Sequence, residues 1–529
     1  MTTIKKTGRL LVPAAPRATR RGFLGGATAL TAAGAIPGLL PHAARAEPKR
    51  GGTIRAAKGH GSTTDTLDPG TFINGYTVAM SYGMHGFLTG IGADGNVEPS
   101  LAESWEATPD ARIWRFKIRP GVTFHSGKPL SLEDIVASVN HHRGEKTTSA
   151  AAPLFSGITG ISTEGKDTVV FELETGNADF PFVFADYHMG ILPAGGDGID
   201  WRSGDGCGPY KLLDFEPGVS SRFERFENDW TQERGFFDGV ELLSVIDLNA
   251  RTTALVSGEV DTIDKLDLKT VGLLGRRPGI EIASIAGPQF YSFAMRCDTD
   301  PYIDKNVRLA MKYGIDRQAL VDKILFGHGT IGNDQPIGTN YRFHDPSLEQ
   351  RPYDPDRAKF HLKEAGLDTL DVTLSAADAA FPGAVDAAQL YQAACGPAGI
   401  NLKVNRVPND GYWSDVWLKA PLCAVYWGGR PTEDQILTTE FESGQAWNDS
   451  FWSNERFDEL LVKARGELDE AKRREMCAEM QALVSDDAGV ILPMFANFVF
   501  ANSGKIAHGK FASNYDCDGE RWMERWWFA

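Results

Sequence analysis

The chain of 529 residues is longer than one hydrophobic core usually supports, so two or three compact parts are expected. Its content of 42% hydrophobic and 23% charged residues is typical of globular proteins and excludes a largely disordered or membrane-embedded chain. Without the seven basic residues of positions 1–46, 47 Lys and Arg remain against 70 Asp and Glu, a net charge of −23. This charge excludes nucleic acid and anionic lipid as natural partners.

Residues 1–46 predict an export signal. Arg20-Arg21 stands in a segment with basic residues and no acids, and an uncharged stretch follows over residues 25–40. Paired arginines in this position are typical of a twin-arginine (Tat) signal, and Ala44-Arg45-Ala46 offers the small residues of a peptidase site. The uncharged stretch is shorter than the about 20 apolar residues that a membrane anchor needs. We therefore predict cleavage near Ala46/Glu47 and a periplasmic protein.

The first half of the mature sequence has mainly β-type patterns. Trp114, Phe116 and Ile118 alternate with charged residues, which predicts a half-buried strand. A capping box of Ser131 and Asp134 then predicts the start of a helix. Further strands are predicted over residues 168–173 and 209–250, where apolar runs are separated by Pro, Gly and Asn.

After Tyr291 the pattern changes to alternating helices and strands. Helix starts are predicted from their capping residues or apolar spacing at Asp316, Asp354, residue 384, Asn454 and Asp469. Strands are predicted over residues 401–407 and 422–427. The apolar segment 490–501 contains Pro493 and Asn497, and its interruptions predict a buried pair of strands. A β-rich first part and an α/β second part are therefore expected.

Motifs of catalysis and metal binding are incomplete in this chain. Residues 160–167 imitate a phosphate-binding loop but end in Asp167 instead of Ser or Thr, and no helix follows the glycines of residues 90–95. His141-His142 lies where a helix ends, which favours a solvated position. The six cysteines are at least 28 residues apart, which predicts mostly buried thiols with one disulfide at most. We predict no enzymatic activity, no cofactor and no bound metal.

Eight segments of the chain resemble one family and occur in the order typical of it. They include LAESWEATPDARIWRFKIRPGVTFHSGKPLSLEDIVAS (101–138), GCGPYKLLDFEPG (206–218) and YDPDRAKFHLKEAGL (353–367). The others are residues 51–69, 228–242, 250–261, 304–325 and 453–493. Together they resemble the dipeptide/oligopeptide-binding family of periplasmic substrate-binding proteins, solute-binding family 5, which serve ABC importers.

The resemblance implies a bilobal α/β fold of the Venus-flytrap type, class II-like, with an extra β-rich subdomain in lobe one. The implied divisions are 47–88, 191–286 and 495–529 for lobe one, 89–190 for its extra subdomain and 287–494 for lobe two. A small peptide-like ligand is expected between the lobes, enclosed by hinge closure. The implied partner is the permease of an ABC transporter in the inner membrane, and the protein is expected to be a monomer.

One segment, VYWGGRPTED at residues 425–434, departs from the family pattern. Amine-binding members of the family have an aspartate after the aromatic residue and glycines, where it pairs with the ligand's α-amino group. Here Trp427-Gly428-Gly429 is followed by Arg430. A guanidinium suits a carboxylate, so Arg430 favours a ligand with an acidic group. The alternatives are an internal pair with Glu433 or Asp434 and a solvated side chain.

Other candidate ligand contacts follow from their position in the family pattern. They are Asp68, Phe290, Tyr291, Tyr412, Trp413, Trp417, Trp447 and Asn448, together with Asp434. For each aromatic residue, packing in the core is an equally good interpretation. An acidic dipeptide, a glutathione-like peptide or an opine-type conjugate would fit an arginine-bearing cleft. A periplasmic hydrolase, a metal-chelate carrier and a sugar carrier on the same scaffold remain alternatives.

Overall fold

A computed structural model describes residues 47–196 and 198–529, so the predicted Tat signal lies outside the described residues. The strands in chain order are β1 Thr53–Lys58, β2 Thr89–Ile91, β3 Val97–Pro99, β4 Ala102–Ala107, β5 Ile113–Ile118, β6 Ile158–Glu164, β7 Thr168–Leu173, β8 Ala194–Gly195, β9 Gly198–Ile199, β10 Tyr210–Glu216, β11 Ser220–Arg225, β12 Gly239–Ser244, β13 Thr262–Ile263, β14 Ile280–Met295, β15 Gly329–Ile331, β16 Leu370–Ala376, β17 Ile400–Arg406, β18 Leu422–Trp427, β19 Val490–Ser503, β20 Ile506–Ala507 and β21 Trp527–Phe528.

The helices in chain order are α1 Gly75–Met84, α2 Leu132–His141, α3 Ala152–Phe155, α4 Phe180–Val183, α5 Leu248–Ser257, α6 Val271–Leu274, α7 Lys305–Tyr313, α8 Arg317–Ile324, α9 Pro355–Glu364, α10 Ala384–Cys395, α11 Tyr412–Asp415, α12 Glu433–Phe441, α13 Glu455–Gly466 and α14 Glu470–Asp487. A tight turn at Asp516–Gly519 and a short helix at Trp522–Arg525 follow near the C-terminus. The structure places the predicted helix starts within a residue or two of the capping side chains. Among the described residues, no helix is long and apolar enough to cross a membrane.

One large mixed sheet runs through the protein. Its strand order is β10-β11-β12-β1-β13-β19-β14-β18-β16-β17, and β15 pairs with β19. Strands β14 and β19 are 16 and 14 residues long and pair antiparallel from Ile280 opposite Ser503 to Ala294 opposite Val490. These two strands therefore join the part of the sheet around β1 to the part around β16 and β18.

A separate antiparallel sheet is formed by the strands β4-β5-β7-β6. Trp114 and Phe116 of β5 are buried against Phe171 and Phe180, as their alternation with charged residues predicts. Helix α2 covers this sheet, and its N-cap residue Ser131 donates its backbone N–H to Asp134 Oδ2 at 2.8 Å. The predicted mixed α/β fold with an additional β-rich part is confirmed, while the residue boundaries of the lobes remain a prediction.

The segment predicted as a strand pair is the single strand β19. Pro493 causes no break, because it lies where the pairing with β14 shifts by one residue between Tyr291 opposite Met494 and Phe293 opposite Ile491. A bulge of this kind tolerates proline, whose missing N–H would interrupt a regular ladder. The carbonyl of Pro493 still accepts a hydrogen bond from the Gly332 N–H at 2.8 Å.

The apolar cores lie on separate parts of this framework. One surrounds β1 and β12 with Ile54 and Trp526, and another fills the four-stranded sheet. Two more cover opposite faces of β14 and β18, with Phe293 on one face and Phe290 on the other. Strands β14 and β19 extend from the core around β1 and β12 to the cores on the two faces of β14 and β18. Residues of both regions therefore border the space beside these strands.

Candidate functional site

A cleft of about 850 Å³ lies beside the long strands β14 and β19. Tyr291 and Phe498 of these strands line its base. Residues 265–269 and Asp516 line it from one part of the chain, and the C-terminal end of α8 and residues 378–383 before α10 line it from the other. These two sets of residues come from segments that the family pattern assigns to different lobes, so the cleft has the position expected for a ligand.

The cleft is lined by charges that lack partners. Three lysines and four aspartates contribute to its surface: Lys265, Lys269, Lys323, Asp267, Asp378, Asp386 and Asp516. None of these seven side chains lies within 4.0 Å of an opposite charge on another described residue. Aromatic surface accompanies them, since Tyr291 stacks on Phe381 with ring centroids 4.4 Å apart and Tyr426 is 43% exposed. Such a surface suits a ligand that carries charges of both signs.

A second, smaller pocket lies at Arg430. From one side it is lined by Pro288, Tyr341 and the start of α12, and from the other by residues 91–95 together with Ser513 and Asn514. These segments are again assigned to different lobes by the family pattern. Arg430 therefore lies between segments of the two parts of the chain, and its role as a ligand contact stays a prediction.

The backbone fixes the position of Arg430. Gly429 has a φ of 77°, and a Cβ atom there would lie 2.4 Å from Cβ of Pro288, so only glycine fits this turn. The Arg430 N–H donates to the Tyr341 hydroxyl at 3.1 Å, and that hydroxyl donates to the Arg430 carbonyl at 3.0 Å. Two reciprocal hydrogen bonds and a required glycine thus hold the residue at the end of β18.

The Arg430 guanidinium forms no ion pair within 4.0 Å among the described residues, although its charge partly offsets the raised pKa of the buried Glu440. Its Nη1 donates to the Gly429 carbonyl at 2.7 Å, and its Cζ lies 5.6 Å from the ring centroid of Trp427. The acids that follow in the sequence bind elsewhere. Glu433 accepts from the Phe343 N–H at 2.8 Å and from Arg342 at 3.2 Å, and Asp434 pairs with Arg465 at 3.0 Å. The internal pair considered from the sequence is therefore absent from this structure.

Four of the predicted aromatic residues lie together beside β18. Trp413 contacts Trp417 with ring centroids 5.8 Å apart, Trp417 contacts Trp447 at 6.0 Å, and Trp447 contacts Trp427 at 6.2 Å. Trp413 is 39% exposed and Trp447 is 50% exposed, so both present free ring surface. This chain of ring contacts ends at Trp427, beneath the Arg430 guanidinium.

Asp449 holds two of these tryptophans in place, a role that the sequence did not indicate. Its Oδ2 accepts hydrogen bonds from the indole N–H groups of Trp417 and Trp427, each at 3.3 Å. The carboxyl group is buried, and burial raises its pKa to about 6. Asn448 is buried beside it and donates to the Trp452 carbonyl at 2.8 Å. Asn448 thus orders the loop that carries Trp447.

The remaining candidates have partners within the protein. Phe290 is fully buried against Phe495, and the buried Tyr412 donates its hydroxyl to the Ala424 carbonyl at 2.8 Å. Asp68 accepts from the Gly70 N–H at 2.9 Å and lies 2.7 Å from Nε2 of His141, which lowers the pKa of the carboxyl group. These contacts favour a structural role for Phe290, Tyr412 and Asp68.

The histidine pair differs from its predicted solvated position. His142 is buried, its ring Nδ1 lies 2.7 Å from the Ser149 hydroxyl, and His141 pairs with Asp68. The helix end packs under the turn that follows it, which the local sequence does not reveal. Among residues 47–196 and 198–529, no group of three or more His, Cys, Asp or Glu is arranged to hold a metal ion. The six cysteines are all free thiols, five of them buried.

A cleft between two parts of an α/β chain, lined by aromatic surface and by charges without partners, defines a protein of the solute-binding class. The sequence model of bacterial extracellular solute-binding proteins, family 5 Middle, matches residues 96–449. The chain therefore belongs to the family 5 solute-binding proteins, which confirms the resemblance and the prediction of a binding protein in place of an enzyme.

Known relatives differ in the solutes that their names mention. Heme-binding protein A of Haemophilus influenzae is 24% identical over 74% of this chain and 78% of its own length. Di/tripeptide-binding protein 2 of Pseudomonas aeruginosa is 26% identical over 79% of this chain and 85% of its own length. The structure of the binding protein AgaA of A. tumefaciens R10 in complex with agropinic acid superposes with a TM-score of 0.70. The two sequences are 21% identical, and the match covers 90% of this chain and 99% of the AgaA chain.

Proposed function

We propose that this chain is the substrate-binding protein of an ABC importer and captures a peptide or peptide-like solute with a carboxylate. The observation that carries the proposal is the Arg430 guanidinium, which is fixed between the two parts of the chain without a carboxylate partner among the described residues. An acidic dipeptide, a glutathione-like peptide or an opine-type conjugate supplies the missing carboxylate. The agropinic acid of the AgaA complex and the peptides named for the Pseudomonas relative belong to this range of chemistry.

The geometry explains how such a ligand would be retained. A guanidinium binds a carboxylate through two parallel hydrogen bonds, and the ring of Trp427 supports it from below. The pocket, of about 20 Å³, has room for a small group such as a carboxylate and is bordered by segments from both parts of the chain, so a ligand that contacts both favours the closed form. Closure gives the permease a shape that differs from that of the empty protein. We further propose that the protein is a monomer and delivers its ligand to the permease in the inner membrane.

The test is ligand binding by the mature chain and by Arg430→Ala, measured by thermal shift and isothermal titration. The panel contains the dipeptide Ala-Glu, glutathione, octopine, maltose and nickel with histidine. We expect the tightest ligand to carry a carboxylate and Arg430→Ala to weaken it by about 30-fold or more, because a desolvated charge pair contributes roughly 2–5 kcal/mol. The exposed Arg222 provides a matched control, and Arg222→Ala should leave affinity unchanged.

Two results would contradict the proposal. One is a tightest ligand that is maltose or nickel with histidine, and the other is equal affinity in the wild type and in Arg430→Ala. Turnover of any ligand in the panel would favour the hydrolase alternative.

Export by the Tat pathway is the second part of the proposal. It rests on Arg20-Arg21 and the uncharged stretch of residues 25–40, and the family itself is one of extracellular proteins. A fusion of residues 1–46 to a reporter that is active only after export tests it. Replacing both arginines by lysine should abolish export, whereas replacing Lys5 and Lys6 by arginine should not. Unchanged export of the Arg20→Lys, Arg21→Lys variant would refute a twin-arginine signal.

A further inference from the structure

We propose that Asp516 binds the ammonium group of the ligand, so that the amine and the carboxylate of a zwitterionic solute meet Asp516 and Arg430 from opposite parts of the chain. This inference rests on the proposed function, because it assumes that the ligand carboxylate binds Arg430. It names the ligand class more closely, as a solute with a free amine and an acidic group. It also assigns a new role to the C-terminal segment.

The segment 513–516 borders both pockets. Ser513 and Asn514 line the pocket of Arg430, and Asp516 lines the large cleft. Tyr515 lies between them and packs edge-to-face on Tyr187 with ring centroids 5.8 Å apart. In this proposal the solute passes Tyr515 with its carboxylate toward Arg430 and its ammonium group toward Asp516.

The backbone after Asp516 holds its position firmly. Four successive residues, 517–520, have positive φ angles of 44°, 62°, 68° and 59°, and only Gly519 among them lacks a side chain. Such a turn is costly and persists only where its surroundings enforce it. Asp518 accepts from the Trp526 indole N–H at 3.0 Å, and Glu520 binds the Lys58 ammonium at 2.7 Å. Rigid support of this kind suits a residue that anchors a ligand.

Asp516 has no cation of its own. Its Oδ1 accepts only the Cys517 N–H, at 2.8 Å, and no described Lys or Arg forms an ion pair with it. The nearby ammonium of Lys58 is occupied by Glu520 and by Asp264, which lies 3.3 Å from it. Burial raises the pKa of Asp516 to about 6, and the charges of Lys58 and Lys265, neither of which forms an ion pair with it, offset this only in part. A ligand ammonium would supply the remaining compensation.

The other acids near the site are less suited to this role. Asp434 is paired with Arg465, and Asp68 is bound to His141 and Gly70. Asp267 already accepts from the Lys269 N–H of its own turn at 3.0 Å. Asp378 and Asp386 are exposed, where solvent weakens an ion pair. Asp516 is thus the partly buried acid of the cleft whose side chain has the fewest internal partners.

The test compares ligands that differ only at the amine. Ala-Glu and glutathione are titrated into the wild type beside their N-acetyl derivatives, which lose the positive charge, and N-methyl-Ala-Glu, which keeps it. We expect acetylation to weaken binding by at least 30-fold and methylation by less than fivefold. Asp516→Asn should weaken the free amines by at least tenfold and leave the acetylated ligands unchanged. Asp371→Asn removes an exposed carboxylate outside both pockets, serves as the control and should change neither.

The outcomes separate this inference from the proposed function. Equal affinity for acetylated and free amines in the wild type would overturn the role of Asp516, and so would an equal loss for both ligand forms in Asp516→Asn. If Arg430→Ala still abolished binding in that case, the proposed function would stand alone. If no ligand with a carboxylate bound, both would fail. The acetylation comparison uses the unaltered chain, so it decides the question even if Asp516→Asn does not fold.

Discussion

Two carboxyl groups lie buried beneath the tryptophans of the candidate site. Asp449 accepts hydrogen bonds from the indoles of Trp417 and Trp427. Glu440 is 1% exposed, and neither of its carboxyl oxygens has a hydrogen-bond partner among the described residues. Burial and the neighbouring Asp449 raise the pKa of Glu440 well above its ordinary value. A neutral Glu440 avoids the cost of a second buried charge, whereas Asp449 titrates in an accessible range.

Asp449→Asn is expected to stabilise the protein at alkaline pH. Because the pKa of Asp449 rises from its ordinary 3.8 to about 6 on folding, the folded state binds the proton more tightly than the unfolded state. The resulting destabilisation develops as pH rises from about 4 to 6 and is complete above pH 6. Asparagine avoids it while its amide oxygen still accepts from both indoles. The free energy of unfolding should rise by roughly 1–3 kcal/mol at pH 8 and by clearly less at pH 5.

Urea unfolding at the two pH values, followed by tryptophan fluorescence, measures this difference. Asp458→Asn provides a control, since it changes a carboxylate that is not buried. A loss of stability in Asp449→Asn that is equal at pH 5 and pH 8 would show that the hydrogen bonds to the indoles matter more than the buried charge.

The sequence could indicate the residues of the site only where the signal is local. The glycines before Arg430 and the tryptophans near them mark the end of β18, and Gly429 does require its positive φ. The absence of a partner for Arg430 could not be read from spacing. Glu433 and Asp434 lie three and four residues away but begin a helix that turns them toward Arg342 and Arg465. Asp516 is 86 residues further on, and only the long-range fold brings it to the cleft.

At the scale of elements, helix starts depend on neighbouring residues and can be predicted, whereas the extent of a long strand depends on distant ones. Asp316, Asp354, Asn454 and Asp469 each accept an N–H from the first turn of the helix that the sequence predicts after them. Capping needs only neighbouring residues, so it can be predicted. The continuity of β19 depends on its pairing with β14, more than 200 residues earlier in the chain. The local interruptions at Pro493 and Asn497 therefore gave the wrong number of strands.

One junction between elements is formed by buried charges. Asp179, immediately before α4, receives two hydrogen bonds from Arg473 of α14, at 2.9 and 2.7 Å, and a third from Arg342 at 2.8 Å. Arg342 also pairs with Glu433, the first residue of α12 and three residues after Arg430. The carboxylate keeps a lowered pKa in spite of its burial, since the two guanidinium groups stabilise its charge. The junction thus joins the four-stranded sheet region to the helices beside the Arg430 pocket.

Asp179→Asn should destabilise the protein by roughly 3–5 kcal/mol, because it leaves the buried Arg473 guanidinium without its carboxylate and Arg342 with Glu433 alone. Urea unfolding at neutral pH measures the loss. Glu479→Gln breaks the exposed pair between Glu479 of α14 and Arg456, and it should cost no more than about 1 kcal/mol. A loss for Asp179→Asn as small as that of the control would indicate that the junction opens freely in solution and that its charges become hydrated.

For the whole molecule, the long strands β14 and β19 are the elements that connect the parts of the large sheet. These strands pass between separate cores, and the cleft lies beside them with walls from both sides. The resemblance to the family implied this arrangement, but composition and periodicity alone supported only a β-rich part followed by an α/β part. Lobe boundaries remain a prediction because contacts across the junctions, such as Asp179 with Arg473, do not follow the order of the chain.

Ligand binding is expected to make the molecule more compact. The cleft and the Arg430 pocket are both bordered by segments from the two predicted lobes, so a ligand that contacts both walls stabilises the closed form over open ones. Small-angle X-ray scattering of the mature protein should show a smaller radius of gyration with the tightest ligand of the panel than without it. Arg430→Ala at the same ligand concentration should keep the radius of the empty protein. Identical scattering of the empty and the saturated wild type would contradict hinge closure, while the affinity measurements would still report on the binding site itself.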